Sequence, residues 1–480
     1  MFTCALGIAA VALASVQPVA TSAATAQSAP WRDSVDKVFA PWATRQSPGC
    51  AVGIYKDGAI AYERGYGMAD LEHDVPITPD TPFYVGSVSK QFTAFAAALL
   101  IQQGKAGPDD SIRKYFPELA DYANAITVRH LVHHTSGLRD FYTLLSIAGR
   151  RQDELYDNFA VLRMAARQKE LNFPPGTDYL YSNTGYALLA SLIGRAAGTT
   201  FSAFADANIF KPLGMSSSHV HDDDARLVKG RAYGYSGAMG ALRLDASTAE
   251  RVGAGGVYST IRDLIKWDEN FYTGKVGGRA LIDQVQTPGS LSDGKPLTYA
   301  WGLQIGRYRG LPIVEHGGSL VGYRAHLMRF PDQHVSVACL CNLASTVPGA
   351  LARQVADLVL ATTFKEPATA PGQPGAGPGR GGAPTSPTPQ SATASPLADF
   401  AGRYYSDETD GIFTITVKDG GLFVQRETDA TPALLVRGAA DEFRFGGMTV
   451  RFVRGADRMV QALLVDAGRV RGIRFDRRKP

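Results

Sequence analysis

Two kinds of apolar pattern alternate along this chain. Residues 50–55 (CAVGIY) are apolar almost without interruption, the chain breaks at Lys56-Asp57-Gly58, and residues 59–63 (AIAYE) resume. Asp-Gly between two such runs predicts a β-hairpin. Residues 88–104 (VSKQFTAFAAALLIQQG) are apolar on nearly all faces of a helix and end at a glycine, so a buried central helix is expected there. Residues 186–193 (YALLASLI) predict a second buried helix of the same kind. Strand character returns at residues 311–315, 325–330 and 335–340, before a closing helix around 351–360. Strands at both ends with helices between predict an α+β fold, in which helices flank an antiparallel sheet that joins the two ends of the region.

Composition divides the chain further. Residues 365–396 (KEPATAPGQPGAGPGRGGAPTSPTPQSATASP) hold almost nothing apolar to bury and read as a disordered linker. It separates residues 29–364, long enough for a large core, from a tail at 397–480. In the tail, Phe413, Ile415 and Val417 alternate into Asp419-Gly420-Gly421, and a return strand follows at 422–425. Strand-like runs recur at 448–453, 460–465 and 470–475, so a small all-β barrel or sandwich is expected. At the other end, residues 4–16 (CALGIAAVALASV) form an apolar run, and Ala24-Thr25-Ala26 offers an A-x-A cleavage site. Residues 1–26 therefore read as a secretory signal peptide, which implies a periplasmic or secreted location. A membrane anchor would need a longer run, and no other segment approaches the ~18 apolar residues of a membrane span.

Charge narrows the partners. Lys and Arg number 49 against 45 Asp and Glu, a net +4 that argues against a nucleic-acid partner. Beyond the signal, Cys50, Cys339 and Cys341 are too few for a disulfide scaffold and lack the C-x-x-C spacing of structural zinc. Packing is their first expected role; a Cys50–Cys341 bridge is the second, permitted by an oxidising compartment.

A serine attacks a carbonyl only if something takes its proton. A lysine three residues later on a helix lies on the same face, ~5–6 Å away at Cβ. Ser87-Val88-Ser89-Lys90 supplies that pair, but the spacing is not selective, because Ser34–Lys37, Ser111–Lys114 and Ser292–Lys295 share it. Only Ser87 follows a short extended run (82–85) and a glycine and opens the helix expected to be buried. There the helix N-terminus offers N–H groups to a developing oxyanion, and desolvation lowers the pKa of Lys90 toward that of a usable base. The other three pairs lie among Asp, Arg or Pro, where their lysines should stay solvated and protonated.

Two more patterns follow in order. Tyr181-Ser182-Asn183 stands after Pro174-Pro175-Gly176 and before the second buried helix; Tyr122–Asn124 and Tyr156–Asn158 share its spacing but not its flanks. His316-Gly317-Gly318 follows the strand 313–315. This succession of S-x-x-K, Y-x-N and H-x-G resembles the serine β-lactamases of class C and the related D-Ala-D-Ala carboxypeptidases and esterases. His134-Thr-Ser-Gly-Leu138, Gly255-Gly-Val-Tyr-Ser-Thr260 and Ile209-Phe-Lys-Pro-Leu-Gly-Met215 extend the likeness over nearly all of residues 29–364. The tail is similar to the lipocalin-like barrels that follow this domain in some relatives, a candidate for shaping access to the site or for oligomerisation.

The resemblance implies a β-lactamase/transpeptidase-like fold with an all-helical lobe beside the sheet. It makes Ser87 the acylated nucleophile, with Lys90 and Tyr181 moving protons and the backbone N–H groups of Ser87 and Ser319 forming the oxyanion hole. Tyr181 is expected to shuttle protons through a lowered pKa, and Asn183 to hydrogen-bond the substrate amide. Gly317 and Gly318 would let substrate lie close against strand backbone. His316 stands where the lactamases carry Lys; a ring neutral above ~6.5 relaxes the demand for an anionic substrate.

The expected reaction is therefore acyl transfer on a small-molecule or peptide substrate, with no metal or cofactor. Substrates are sought among D-amino-acid peptides, peptidoglycan stems, esters and β-lactams, with a peptidase or esterase ranked above a dedicated β-lactamase. A catalytically idle binding protein is the competing class, and the complete set Ser87, Lys90, Tyr181, Asn183 and His316 argues against it. His133-His134 reads as structural, because adjacent helical positions diverge and no carboxylate follows at ligand spacing. No G-x-S-x-G elbow is present, and GAGPGRGG lies in the linker rather than between a strand and a helix.

Overall fold

The computed structural model describes residues 30–151, 157–367 and 395–479. The expected secretory signal and residues 368–394 of the expected linker lie outside the described residues.

A six-stranded antiparallel sheet organises the first region. Its order is Gln304–Tyr308, Leu311–Leu320, Tyr323–Phe330, Val335–Cys341, Cys50–Lys56 and Ala59–Tyr66. Early and late strands join where Cys50–Lys56 pairs with Val335–Cys341. These two strands are covered on both faces, which is why they read as continuous apolar runs rather than alternating ones. Cys50, Val52 and Ile54 point into a core shared with the helices Arg32–Phe39 and Pro348–Val359. Ala51 and Tyr55 point the other way, into the core that holds the helices Ser89–Gln102 and Ile261–Thr273.

The register sets Cys50 opposite Cys341, and a disulfide joins them across a separation of 291 residues. Packing is therefore the role of Cys339 alone, the buried free thiol among the described residues, and the first expectation for the other two is corrected. Spacing could not choose between Cys339 and Cys341, which share a strand face; the pairing places Val52, not Cys50, opposite Cys339.

A second correction concerns the strand expected to end at Glu315. It runs on to Leu320, so His316-Gly317-Gly318 lies within it, paired with Tyr323–Phe330. Two consecutive glycines lower strand propensity, which hid the continuation in the sequence.

The central helix Ser89–Gln102 is buried at every residue from Ser89 to Leu100. Packed against it, Asn183–Ala197 begins where the Ser182 side chain accepts from the Gly185 N–H and ends at the left-handed Gly198.

The tail closes into an eight-stranded antiparallel barrel running from Gly402–Ser406 to Val470–Arg477. Closure decides between barrel and sandwich. Every strand-like run expected in the tail is present. Gly402–Ser406, Ala433–Arg437 and Glu442–Phe445, too short or too charged to stand out, complete the ring. The barrel docks on the first region through the helix Phe141–Ala148, whose Phe141, Leu144, Leu145 and Ile147 share a buried cluster with Phe413, Phe443 and Phe475. Beside that cluster Arg139 Nη1 donates to Glu408 Oε2 at 2.5 Å, with side chains only 1% and 6% exposed. Among the described residues no single helix is long and apolar enough to cross a membrane.

Candidate active site

Ser87 lies in a 3-10 turn, Gly86–Val88, that leads into the central helix, so it precedes the α-helix rather than opening it. Gly86 has φ +55°, and a side chain there would collide with the backbone of Gly318 and Ser319. A Cβ at Gly318 would press on Val85 and stand 3.1 Å from Ser87 N. Turn and strand thus meet backbone to backbone, which brings the N–H groups of Ser87 and Ser319 into one neighbourhood, as an oxyanion hole requires. This changes the reading of the glycine pair. The backbone that Gly318 admits is the protein's own turn, whereas Gly317 faces the side chain of His326.

Lys90 is wholly buried, whereas Lys37, Lys114 and Lys295 of the competing S-x-x-K matches are exposed. Its Nζ lies 3.1 Å from Ser87 Oγ and donates to Asn183 Oδ1 at 2.9 Å and to the Ala254 carbonyl at 2.6 Å. As an ammonium Lys90 can donate to all three oxygens; in the neutral amine the two carbonyl oxygens can take both N–H groups, which leaves the lone pair to accept from Ser87. Burial, and then the Arg469 cation, hold the Lys90 pKa well below the ordinary lysine range, with Asp140 opposing. The Ala254 carbonyl is fixed because the Ser89 side chain accepts from Val257 N–H and Thr93 Oγ1 donates to Gly253 O.

Asn183 is committed at both ends. Its Oδ1 accepts from Lys90, and its Nδ2 donates to Asp140 Oδ2 at 2.8 Å, the same oxygen that takes the Asn183 N–H at 2.7 Å. In this structure it orients Lys90 rather than waiting for a substrate amide. The Tyr181 ring lies 4.8 Å from Lys90 Nζ, and its side chain lines the cavity together with Ser87. Burial raises the Tyr181 pKa, outweighing the lowering by the neighbouring Ser87 and by the charge of Arg469. The expected lowering is therefore corrected: the shift of Tyr181 favours its protonated form, whereas that of Lys90 favours the neutral amine.

His316 is buried, with Nδ1 at 2.6 Å from the Gly317 carbonyl and Nε2 at 3.0 Å from Tyr299 Oη. A carbonyl only accepts, so Nδ1 carries the proton and Nε2 accepts from the tyrosine. Burial, and then Lys90, push its pKa down to about 3, so the ring is neutral. His134 supports the site from behind: its Nδ1 accepts from Ser182 N–H at 3.1 Å, and its ring packs 4.2 Å from that of Tyr181. His133 is likewise buried, its Nδ1 3.3 Å from the Tyr299 carbonyl, so both adjacent histidines serve packing.

Ser87, Tyr181, Asn183, His316, Gly317, Gly318 and Ser319 line one cavity of about 1010 Å³. Sequence reasoning missed three contributors. Asp140 lies two residues beyond the His134–Leu138 stretch and could have been suspected from it. The Ala254 carbonyl adjoins the Gly255 stretch but leaves no side-chain signal. Arg469 reaches the cavity from the barrel, and nothing in its local sequence points there. Among the described residues, Asp70, Glu72 and His73 have potential metal-ligating atoms within 4.8 Å of one another, but none of them lines this cavity.

Comparison with known proteins gives the family and the fold. A D-aminopeptidase of Gluconobacter oxydans (strain 621H) is 28% identical over 310 residues, 64% of this chain and 58% of the relative. The match thus spans less than two thirds of that relative's length. The octameric penicillin-binding protein homologue from Pyrococcus abyssi superposes with a TM-score of 0.60 at 22% identity, covering 92% of this chain and 98% of its own. The D-amino acid amidase from Ochrobactrum anthropi SV3 superposes with a TM-score of 0.57 at 22% identity, over 69% of this chain and 98% of its own. At those identities the two structures establish a shared fold. The family model described as Beta-lactamase matches residues 35–362, which supply every described residue of the cavity lining except Arg469, and the chain belongs to that family.

Proposed function

We propose that this protein is a serine hydrolase that forms an acyl-enzyme on Ser87 and cleaves amide or ester bonds in substrates of D configuration. One observation carries the reading: a buried lysine, held by Asn183 Oδ1 and the Ala254 carbonyl, lies 3.1 Å from Ser87 Oγ, in a turn whose backbone packs against that of Gly318 and Ser319. Lys90 takes the hydroxyl proton as Ser87 Oγ bonds the substrate carbonyl carbon, and the oxyanion develops between the N–H groups of Ser87 and Ser319. Tyr181, protonated at rest, delivers its proton to the departing nitrogen or oxygen and recovers one from Lys90. Water then attacks the ester, again with Lys90 as base.

The D-aminopeptidase relatives support the D preference and amide chemistry. The same relatives support a peptidase over a dedicated β-lactamase, and the neutral His316 supplies no permanent cation of its own. The apolar run at 4–16 and the disulfide between Cys50 and Cys341 support export to an oxidising compartment.

The test is intact mass after incubation with a fluorophosphonate, for wild type and Ser87→Ala, followed by kinetics on matched D- and L-aminoacyl p-nitroanilides, p-nitrophenyl esters and a cephalosporin. Labelling of wild type alone and faster turnover of the D-anilides are expected. A label that persists in Ser87→Ala removes the mechanism. Equal turnover of both enantiomers removes the stereochemical reading, and cephalosporin turnover above all others reverses the ranking.

A further inference from the structure

The cavity around Ser87 is electrostatically one-sided. Arg151, Arg251, Arg324 and Arg469 line it, against one carboxylate, Asp245. Three of these arginines belong to the first region. Arg469 does not: it comes from the barrel, at the tight turn between the strands Val460–Ala467 and Val470–Arg477.

The turn is locked onto the first region through its backbone. Asn172 Nδ2 donates to the Arg469 carbonyl at 3.0 Å, and the Arg471 N–H donates to Asn172 Oδ1 at 2.8 Å. Behind it, Arg139 holds the Arg471 carbonyl at 2.9 Å while paired with Glu408. With the backbone pinned on one side, the guanidinium reaches over the Tyr181 ring, 4.7 Å from its centroid. Its nearest carboxylate, Asp140 Oδ2, lies at 3.7 Å and is already occupied by the Asn183 N–H and Nδ2. That distance is too long for a hydrogen bond, and the Arg469 guanidinium donates none to the described residues. A half-buried arginine whose ion pair with Asp140 is long and shared, held over Tyr181 and facing a cavity, is placed to receive an anion.

We infer that Arg469 is a substrate-binding residue contributed by the barrel, which receives a carboxylate carried by the substrate alongside Tyr181 and His316. The inference rests on the acyl-enzyme reading above and names the substrate class within it. The barrel then completes the active site, and the cation that the neutral His316 does not provide arrives from the other end of the chain. The fork of the guanidinium suits a carboxylate, which it can grip through two parallel hydrogen bonds.

The experiment compares a D-aminoacyl-D-alanine dipeptide bearing a free C-terminal carboxylate with the same dipeptide as its C-terminal amide, using the full chain. Wild type, Arg469→Ala and Arg469→Lys are assayed for kcat and KM, with melting temperature as a check on folding. The expected result is a wild-type preference for the acid and a loss in Arg469→Ala of roughly 10- to 100-fold in the acid-to-amide ratio of kcat/KM, the value of one charged hydrogen-bonding contact. The loss should be carried mainly by KM, and Arg469→Lys should retain part of the preference. A purely structural role would lower both substrates alike, so an unchanged ratio in an active Arg469→Ala enzyme overturns the inference and leaves the acyl-enzyme reading intact. A wild-type enzyme inactive toward both dipeptides, with no acylation of Ser87, overturns both.

Discussion

Gly318→Ala is the substitution whose outcome depends most directly on the geometry described. Gly318 does not need the left-handed backbone that would exclude alanine, so the penalty is steric alone. A Cβ there would lie 3.0 Å from the carbonyl carbon of Val85 and 3.1 Å from Ser87 N, with the Val85 oxygen nearer still. Non-bonded atoms prefer roughly 3.5–4.0 Å and the Val85 oxygen would stand at 2.0 Å, so the strand and the nucleophile turn must part by about 1.5 Å. Both neighbours are backbone and cannot rotate away. Such a displacement pulls the N–H of Ser319 from that of Ser87, and losing one oxyanion donor costs about 3 kcal/mol, or ~10²- to 10³-fold in kcat. Gly317→Ala is the control, because its Cβ would press on His326 Nδ1 at 3.3 Å, a side chain that can shift by a few tenths of an ångström, and would meet the Ala325 carbonyl at an ordinary 3.8 Å. The assay is stopped-flow acylation by a p-nitrophenyl ester, with circular dichroism to establish that both variants fold. A slow, folded Gly318→Ala beside a Gly317→Ala within about tenfold of wild type is expected. If Gly318→Ala acylated at the wild-type rate, the oxyanion hole would not be where this strand and turn meet.

Lys90 and the barrel clamp give two further predictions. Burial lowers the Lys90 pKa below the ordinary lysine value of 10.5, so the basic form is already present well below that pH, and the acylation rate should rise with pH through the lowered value and then level off; an ascending limb centred near 10.5 would contradict a buried neutral base. Glu408→Gln leaves Arg139 buried without its counter-ion at the docking surface of the barrel, which should destabilise the native state by about 3–5 kcal/mol, read as a fall in the denaturation midpoint; a midpoint within experimental scatter of wild type would mean that the pair does not hold the two parts together.

The sequence by itself carried a good part of this protein. Residues 88–104 announced a buried helix because no polar face interrupts them, and a lysine inside such a helix must be desolvated wherever the helix packs. That is enough to separate Lys90 from Lys37, Lys114 and Lys295, which the motif spacing could not do. The apolar runs at 50–55 and 335–340 likewise had to be covered on both faces, and one sheet joining them was the economical outcome. Order and flanks brought Tyr181, Asn183 and His316 into the same account.

Tertiary structure decided what depends on neighbours remote in sequence. Cys50 found Cys341 through strand register, which no spacing encodes. The direction of the Tyr181 pKa followed from how completely its surroundings exclude water, against the pull of nearby cations, and the balance fell opposite to expectation. The two glycines after His316 look equivalent in the chain, yet one faces the nucleophile turn and the other a histidine ring. Arg469 lies far along the chain, in a short turn of a separate barrel, and becomes part of the cavity only because Asn172 and Arg139 fix that turn in place. Local sequence determines which groups must be buried; which charges they are buried beside is settled only when distant elements close around them.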